Sequence, residues 1–242
     1  MKSAVERAGL MPQARQVQRV IGSRSKRRDL RDNEHLRLLL AFALDEDSNC
    51  IDVGASKGDV LTEIVRVAPL GRHIAYEPLP DHAADLRERF PQVEIRQAAL
   101  SNHRGSESFR YVRSRPGMSG LRERQYPGKE AIEMLTVSVE DLDSAIPEGY
   151  VPSLIKIDVE GAEREVIEGA METIRAHRPI VVFEHGKGAA RFYDATPQDV
   201  YELLCGNANL RIYDMDGNGP YAEPQFVEAY EQGTFWNFVA RA

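Results

Sequence analysis

Short apolar runs alternate along most of this chain with stretches whose apolar positions recur every three or four residues. Runs of the first kind are typical of buried strands, and spacing of the second kind is typical of amphipathic helices. The pattern predicts seven main strands, which lie near residues 49–53, 71–77, 93–100, 153–160, 179–184, 210–213 and 235–239.

Helical spacing is found before the first strand and between most of the later ones. Thr196 followed by Pro197 is a typical helix start, and Asp81 after Pro80 is interpreted as another cap. The predicted helices cover residues 35–44, 61–67, 81–90, 162–177 and 196–204, and a short helix is predicted near residues 140–145. Strands and helices in this mostly regular alternation predict one doubly wound α/β domain with a mostly parallel sheet.

Residues 106–139 interrupt the alternation. Residues 106–112 and 133–139 have the pattern of an antiparallel strand pair, and the loop from Arg113 to Arg124 lies between them. A loop of this length in a compact domain is usually a lid or another functional loop. We therefore expect an inserted hairpin with a basic, lid-like loop. Its arginines favour an acceptor that carries negative charge.

Charge is unevenly distributed along the 242 residues, whose formal net charge is −7. Residues 1–33 contain nine Lys or Arg and three Asp or Glu, so the remainder is strongly acidic. This balance argues against a nucleic-acid-coating protein. We interpret residues 1–33 as a basic, partly helical and mobile segment, and residues 34–242 as the main domain.

Hydrophobicity and cysteine content narrow the class of protein further. No apolar run approaches the roughly 20 residues that span a bilayer, and no signal-peptide pattern is visible near Met1. The two cysteines, Cys50 and Cys205, give neither a disulfide framework nor a zinc pattern. We expect a cytoplasmic protein without a membrane span.

A glycine-containing turn follows the first predicted strand, and a helix follows the turn. Strand, turn and helix in this order form the entry unit of nucleotide-binding α/β domains, in which glycine permits unusual backbone angles and close ligand approach. Ser56 stands where a dinucleotide motif has its second glycine, which disfavours NAD and FAD. Asp52, before Gly54 and Gly58, suits a ligand with a cationic amino-acid end such as S-adenosylmethionine. A tight turn without a ligand is the alternative.

The ends of the second and third predicted strands carry a second set of candidates. Glu77 follows Gly54 by 23 residues, which is the spacing of an acid that binds the ribose of an adenosine ligand. Ala99 and Leu100 are small or apolar and suit an adenine face, although an ordinary strand end has similar residues.

Charged residues alternate with apolar ones in the fourth strand and continue to its end. Lys156, Asp158 and Glu160 share one face, and the next strand ends with Glu184 and His185. We expect Asp158, Glu160, Glu184 and His185 to converge at the carboxyl edge of the sheet. Such a cluster serves as a proton-accepting site, as an oxygen-rich metal site, or as a buried charge pair that orients loops.

Three stretches together resemble the FkbM family of S-adenosylmethionine-dependent methyltransferases. They are residues 51–58, residues 76–78, which contain Glu77 and Pro78, and residues 155–163 with Gly169 and Ala170 after them. Residues 119–121 and 237–240 add weaker similarity, and the resemblance covers roughly residues 30–242. Ser56 replaces the usual Asn, and Val139-Glu140 replaces the usual Leu-Asp.

The resemblance implies a class I methyltransferase fold, Rossmann-like with seven strands and the last strand antiparallel. It also implies methyl transfer, usually to an oxygen of a sugar or natural product. A small-molecule acceptor is then the expected partner, and S-adenosylmethionine is the expected cofactor. The predicted cofactor site consists of Asp52, Gly54, Ala55, Ser56, Gly58, Glu77, Pro78, Ala99, Leu100 and Asp158.

In this interpretation Asp158 lies nearest the methyl group, and Glu160, Glu184 and His185 lie toward the acceptor. We favour catalysis without a metal. The alternatives are a Mg²⁺-dependent O-methyltransferase that uses the same four residues, a cofactor-binding partner subunit without turnover, and, more distantly, an NAD oxidoreductase.

Overall fold

The computed structural model describes residues 24–124, 126 and 128–242. The chain divides into two compact units, residues 1–43 and residues 44–242. The interpretation of residues 1–23 as a mobile segment therefore lies outside the described residues. Among the described residues, no helix has the length and apolar character needed to cross a bilayer.

Helix α1, Arg24–Ala43, is the described part of the first unit. It begins at Arg24 rather than at residue 35, and the unit ends after Ala43 rather than after residue 33. Residues 24–43 contain neither proline nor glycine, so nothing interrupts the helix. The basic block belongs to this helix, where Arg28 pairs with Asp32 one turn later at 2.6 Å.

The described residues of the second unit form ten strands in two sheets. The strands are β1 Cys50–Val53, β2 Ile74–Tyr76, β3 Glu94–Arg96, β4 Ala98–Leu100, β5 Gly105–Val112, β6 Ile132–Glu140, β7 Leu154–Ile157, β8 Ile180–Glu184, β9 Arg211–Asp214 and β10 Asn237–Arg241. The main sheet has seven strands in the order β3-β2-β1-β7-β8-β10-β9. Its pairs are parallel except those of β10, which is antiparallel to both neighbours. This confirms the predicted fold class.

Every residue of β1 and β7 is buried, which explains why these strands are short and nearly continuous apolar runs. Asp52 and Lys156 interrupt the runs, and they are paired in register between the two strands. Two charges in the centre of a sheet require partners, and these two lie opposite each other.

Three strands form a second, smaller sheet in the order β4-β6-β5. β5 and β6 pair antiparallel, as the hydrophobic pattern predicts. The predicted third strand, residues 93–100, is divided in the structure. Its first part, β3, belongs to the main sheet, and its second part, β4, pairs in parallel with β6. The apolar pattern continues across Gln97, so periodicity alone did not reveal the change of sheet.

The helices of the second unit cover both faces of the main sheet. They are α2 Asp59–Val67, α3 Pro80–Arg89, α4 Leu142–Ala145, α5 Glu163–Glu168, α6 Met171–His177, α7 Pro197–Tyr201 and α8 Glu223–Gln232. Thr196 caps α7 as predicted, and it forms a reciprocal capping box with Asp199. The residue that caps α3 is Leu79, so Asp81 lies inside the first turn instead.

The predicted helix over residues 162–177 is broken into α5 and α6 at Gly169 and Ala170. A Cβ atom on Gly169 would lie 2.0 Å from the carbonyl oxygen of Ser101, so glycine permits the close approach of the chain that follows β4. Helix α8 was not predicted from the sequence. Its Phe226 is fully buried against Phe183 of β8 and Phe238 of β10.

Candidate functional site

A pocket opens at the carboxyl ends of β1, β2, β4 and β7, where doubly wound folds bind ligands. Eight of the predicted site residues line it, namely Gly54, Ser56, Glu77, Pro78, Ala99, Leu100, Asp158 and Glu160. Several further lining residues are not among the predicted ones, namely Leu79, His82, Phe109, Val159, Ala162 and Tyr193. Most of these are apolar or aromatic, as expected of a small-molecule pocket.

Backbone and side-chain hydrogen bonds fix the turn after β1 against the end of β2. The N–H groups of Gly54 and Ala55 both donate to the carbonyl oxygen of Tyr76 at 3.0 Å. Glu77 is buried, and its carboxylate accepts from the N–H of Ser56 at 2.7 Å and of Leu79 at 2.9 Å. Burial raises the pKa of Glu77, and these two N–H groups act in the opposite direction.

Glycine is required in this turn by the packing of the protein itself. Gly54 has φ +78°, and a Cβ atom there would lie 1.9 Å from the carbonyl oxygen of Asp158. Gly58 has φ +72°, and a Cβ atom there would lie 2.7 Å from Leu86 in α3. Packing within the protein is therefore a second reason for glycine at both positions, beside the predicted room for a ligand.

Three residues predicted to hold the cofactor lie behind the turn rather than in the pocket lining. Asp52 is fully buried in β1, and Ala55 packs in an apolar cluster with residues of α2 and α3. Gly58 precedes α2 and faces α3. Their protein contacts support the turn, and their predicted role in cofactor binding stays a prediction.

Lys156, in β7, connects the turn after β1 with the carboxyl ends of β1 and β7. Its ammonium group donates to the carbonyl oxygen of Gly54 at 3.2 Å and lies 3.4 Å from a carboxylate oxygen of Asp52 and from one of Asp158. Burial alone would lower the pKa of Lys156, but Asp158 and Asp52 together raise it above the ordinary value. The raised pKa keeps the lysine charged, and its ammonium group lies between the two carboxylates.

Glu160 follows the end of β7 with φ +61°, in the left-handed region that residues with side chains seldom occupy. One of its carboxylate oxygens accepts a hydrogen bond from Arg124 Nη1 at 2.8 Å. Burial raises the pKa of Glu160, and Arg124 acts in the opposite direction. The backbone angle directs this carboxylate into the pocket.

Two further carboxyl groups, Glu163 and Glu184, lie behind the strand ends. Glu163 is buried at the start of α5, where it accepts from the N–H groups of Gly161 at 2.9 Å and Val159 at 3.2 Å. Burial raises the pKa of Glu163 to about 8. For Glu184, burial and the neighbouring carboxylates raise the pKa well above its ordinary value. Glu184 lies outside the pocket lining.

His185 does not join this cluster. Glu184 ends β8 near the carboxylates of Asp158 and Glu160, whereas His185 follows it in different surroundings, as alternation along a strand predicts. The imidazole of His185 is fully buried and stacks on Tyr230, with ring centroids 4.8 Å apart. Neither ring nitrogen has a hydrogen-bond partner among the described residues, and burial lowers the pKa to about 4. This position does not support the predicted catalytic role.

The predicted cluster is thus only partly brought together. Asp158 and Glu160 line the pocket, while Glu184 and His185 lie outside its lining. Across residues 24–242, apart from 125 and 127, no group of three or more His, Cys, Asp and Glu side chains is arranged to hold a metal ion. The four residues proposed for the Mg²⁺ alternative therefore do not form one ligand set.

The loop from Arg113 to Arg124 covers one side of the pocket. Pro116, Gly117, Ser119 and Leu121 contribute to its lining. The positive charge of this loop is largely paired: Arg113 lies 2.7 Å from Glu133, Arg115 lies 3.1 Å from Glu130, and Arg124 binds Glu160. The pairing weakens the argument that the loop's arginines, as a group, attract an anionic acceptor.

Comparison with known proteins identifies a matching family and several similar proteins. A family model described as a methyltransferase FkbM domain matches residues 52–211, from the buried Asp52 to β9. Hexuronic acid methyltransferase AglP of Haloferax volcanii is 30% identical over 183 residues, which are 73% of this chain and 70% of that protein.

Among solved structures, methyltransferase FkbM from Methylobacillus flagellatus KT superimposes with a TM-score of 0.52 at 15% sequence identity. The alignment covers 82% of this chain and 44% of that one, so this chain spans less than half of that relative. At this identity the likeness concerns the fold alone. Since the family model matches well over half of its residues, this chain belongs to the FkbM family of methyltransferases.

Proposed function

We propose that this protein transfers the methyl group of S-adenosylmethionine to a hydroxyl oxygen of a sugar or sugar-containing small molecule. The observation that carries the proposal is the pocket in which Glu77, the glycine turn and Asp158 meet at the carboxyl edge of the sheet. Methyltransferase family membership supports it, and the acceptor class is inferred from the relative that acts on hexuronic acid.

The proposed cofactor site uses Gly54, Ser56, Glu77 and Pro78 on one side and Ala99 and Leu100 on the other. A carboxylate has about four lone-pair positions, and backbone N–H groups occupy two of those on Glu77. The remaining positions are available to two ribose hydroxyls. Ala99, Leu100 and Phe109 offer an apolar surface of the kind that an adenine ring requires.

S-adenosylmethionine supplies an electrophilic methyl group on a sulfonium, so the chain's own residues have to orient the acceptor and accept its proton. In the reaction a carbon–sulfur bond breaks, a carbon–oxygen bond forms, and the hydroxyl proton leaves. Glu160 is our candidate for the proton acceptor, because it faces the pocket and its pKa is raised. The carboxylate of Asp158 lines the pocket 3.4 Å from the ammonium group of Lys156, and its place there suits the role of counter-charge to the cationic cofactor.

The proposal is tested with ¹³C-methyl-labelled S-adenosylmethionine and three probes, the methyl glycosides of D-glucuronate, D-galacturonate and D-glucose. We expect a new ¹³C-methyl resonance on a uronate probe that survives mild alkali, because an ether is stable where an ester is hydrolysed. Wild-type protein is compared with Glu160→Gln, which keeps the shape of the side chain but accepts a proton poorly.

Loss of the label in alkali would show carboxyl methylation and contradict transfer to a hydroxyl. Label on glucose but not on either uronate would contradict the acceptor class. No transfer by a protein that binds the cofactor would favour the partner subunit without turnover.

A further inference from the structure

The covering segment, residues 113–124, is attached on one side to the small sheet. Gly120 exchanges backbone hydrogen bonds of 2.9 and 3.1 Å with Arg110 of β5, and the Ser119 hydroxyl accepts from the N–H of Val112 at 3.0 Å. These bonds hold the segment to its own hairpin. They do not reach the carboxyl ends of β1 and β7, where the floor of the pocket lies.

Two contacts connect the segment to the other side of the pocket: the N–H of Arg122 donates to the Tyr193 hydroxyl at 3.2 Å, and the side chain of Arg124 reaches Glu160. Its guanidinium lies 2.8 Å from the carboxylate of Glu160, and the two side chains are only 13% and 28% exposed. An ion pair that is mostly withdrawn from solvent is weakly screened by salt, and breaking it leaves a partly buried charge without a partner. This pair therefore binds the segment to the end of β7 more firmly than a surface pair does.

The other ion pairs of the segment have a different character. Arg115 is 55% exposed and pairs with Glu130, which is 11% exposed and belongs to the same insertion. Arg113 is 59% exposed and pairs with Glu133 of the insertion and, at 3.5 Å, with Asp81 of α3. Ion pairs of exposed arginines contribute little to stability. Arg115 therefore offers a matched control, since it is a mostly exposed arginine of the same segment whose partner lies within the insertion.

Glu160 touches the covering segment at a second point. A Cβ atom on Gly117 would lie 3.2 Å from the free carboxylate oxygen of Glu160, so this part of the segment lies against the same side chain. The left-handed backbone of Glu160 holds the carboxylate between Gly117 and Arg124. A residue kept in such a conformation is held there by its surroundings.

We propose that Arg124 is a positioning residue that closes the covering segment over the cofactor pocket through its ion pair with Glu160. The inference rests on the proposed function, because the ligand to be retained is the cofactor. Pro116, Gly117, Ser119 and Leu121 form one wall of the pocket, so a ligand inside leaves faster when the segment is released. The pair is expected to act mainly on the dissociation rate.

The experiment uses four variants of the full chain: Arg124→Met, Arg124→Lys, Glu160→Gln and, as control, Arg115→Met. Hydrogen exchange of the segment's amides is measured first without ligand, and thermal unfolding shows whether each variant is folded. The dissociation rate of S-adenosylhomocysteine is then measured by stopped flow. Both readouts are independent of the acceptor.

We expect Arg124→Met and Glu160→Gln each to speed exchange in the segment and dissociation by at least about tenfold, corresponding to about 1.4 kcal/mol. Arg124→Lys, which keeps the charge, should restore most of the wild-type behaviour. Arg115→Met should stay within about twofold of wild type, because Arg115 is mostly exposed and its partner Glu130 belongs to the same insertion.

The inference would be overturned if Arg124→Met is folded and both its amide exchange rate and its ligand dissociation rate stay within about twofold of wild type. The inference would also be overturned if Arg115→Met raised both rates as much as Arg124→Met does. Loss of any positive charge in the segment would then be enough to release it. Wild-type protein that does not bind S-adenosylhomocysteine would overturn the proposed function instead. In that case the exchange measurement alone still decides whether Arg124 holds the segment.

Discussion

Replacing Gly54 by alanine tests whether the turn after β1 is shaped by protein packing. The residue has φ +78°, a conformation that costs an ordinary residue roughly 1–2 kcal/mol. The new Cβ atom would lie 1.9 Å from the carbonyl oxygen of Asp158, so the end of β7 has to move. Overpacking of this kind typically costs about 1–3 kcal/mol more.

Together these terms give roughly 2–5 kcal/mol, which for a domain of this size lowers Tm by about 4–20 °C. Gly149→Ala is the matched control, since Gly149 has φ +72° and no heavy atom within 4 Å of the added Cβ. It should show only the conformational cost, about 1–2 kcal/mol.

Thermal unfolding of both variants, followed by circular dichroism, measures the difference between them. Equal decreases in Tm would refute the packing argument, because the contact with Asp158 would then add nothing. A turn glycine that only made room for a ligand would instead lose cofactor affinity and keep the stability of the control. Calorimetry on the same samples distinguishes these cases.

Three further predictions concern buried charged or titratable groups. Burial lowers the pKa of His185 from 6.5 to about 4, so the unfolded chain binds this proton first and the free energy of unfolding falls as pH drops from 6.5 to 4. His185→Phe should make the free energy of unfolding, measured with urea, less dependent on pH in this range, and an unchanged dependence would contradict this. Lys156→Met leaves Asp52 without its cation and should cost about 3–5 kcal/mol in the same assay, whereas a loss below about 1 kcal/mol would refute the pairing. Burial raises the pKa of Glu163 from 4.5 to about 8, so the unfolded chain releases this proton first and the free energy of unfolding decreases as pH rises from 4.5 to 8. Glu163→Gln should therefore have a larger free energy of unfolding than wild type at pH 8, and an equal value would count against a protonated Glu163.

Local patterns were enough to predict most of the fold. The strands β1 and β7 are short buried runs, Thr196 has a capping sequence, and β5 and β6 alternate as hairpin strands do. Each of these signals arises from neighbours along the chain. The division of residues 93–100 between two sheets depends on a distant partner, β6, and therefore left no local signal.

The prediction of the site was accurate for residues placed in the pocket by the ends of strands. It was less accurate for residues whose place depends on the direction of the side chain. Glu77 and Asp158 end their strands and line the pocket. His185 comes directly after Glu184, and strand alternation alone could have placed it on the opposite face. Helix α8, which supplies Tyr230 to the stack on His185, was not predicted. Arg124 lies 36 residues from Glu160 in sequence, so no spacing rule connects them.

The central claim is that Glu77 and the neighbouring turn hold the adenosine of S-adenosylmethionine. Calorimetric titration of wild-type protein and Glu77→Gln with S-adenosylhomocysteine, and with NAD⁺ as control, tests it most directly. A hydrogen bond to a charged group contributes about 1.5–3 kcal/mol, so Glu77→Gln should bind at least about tenfold more weakly, and NAD⁺ should not bind. Affinity within about twofold of wild type in Glu77→Gln, or binding of NAD⁺ in place of S-adenosylhomocysteine, would contradict the account.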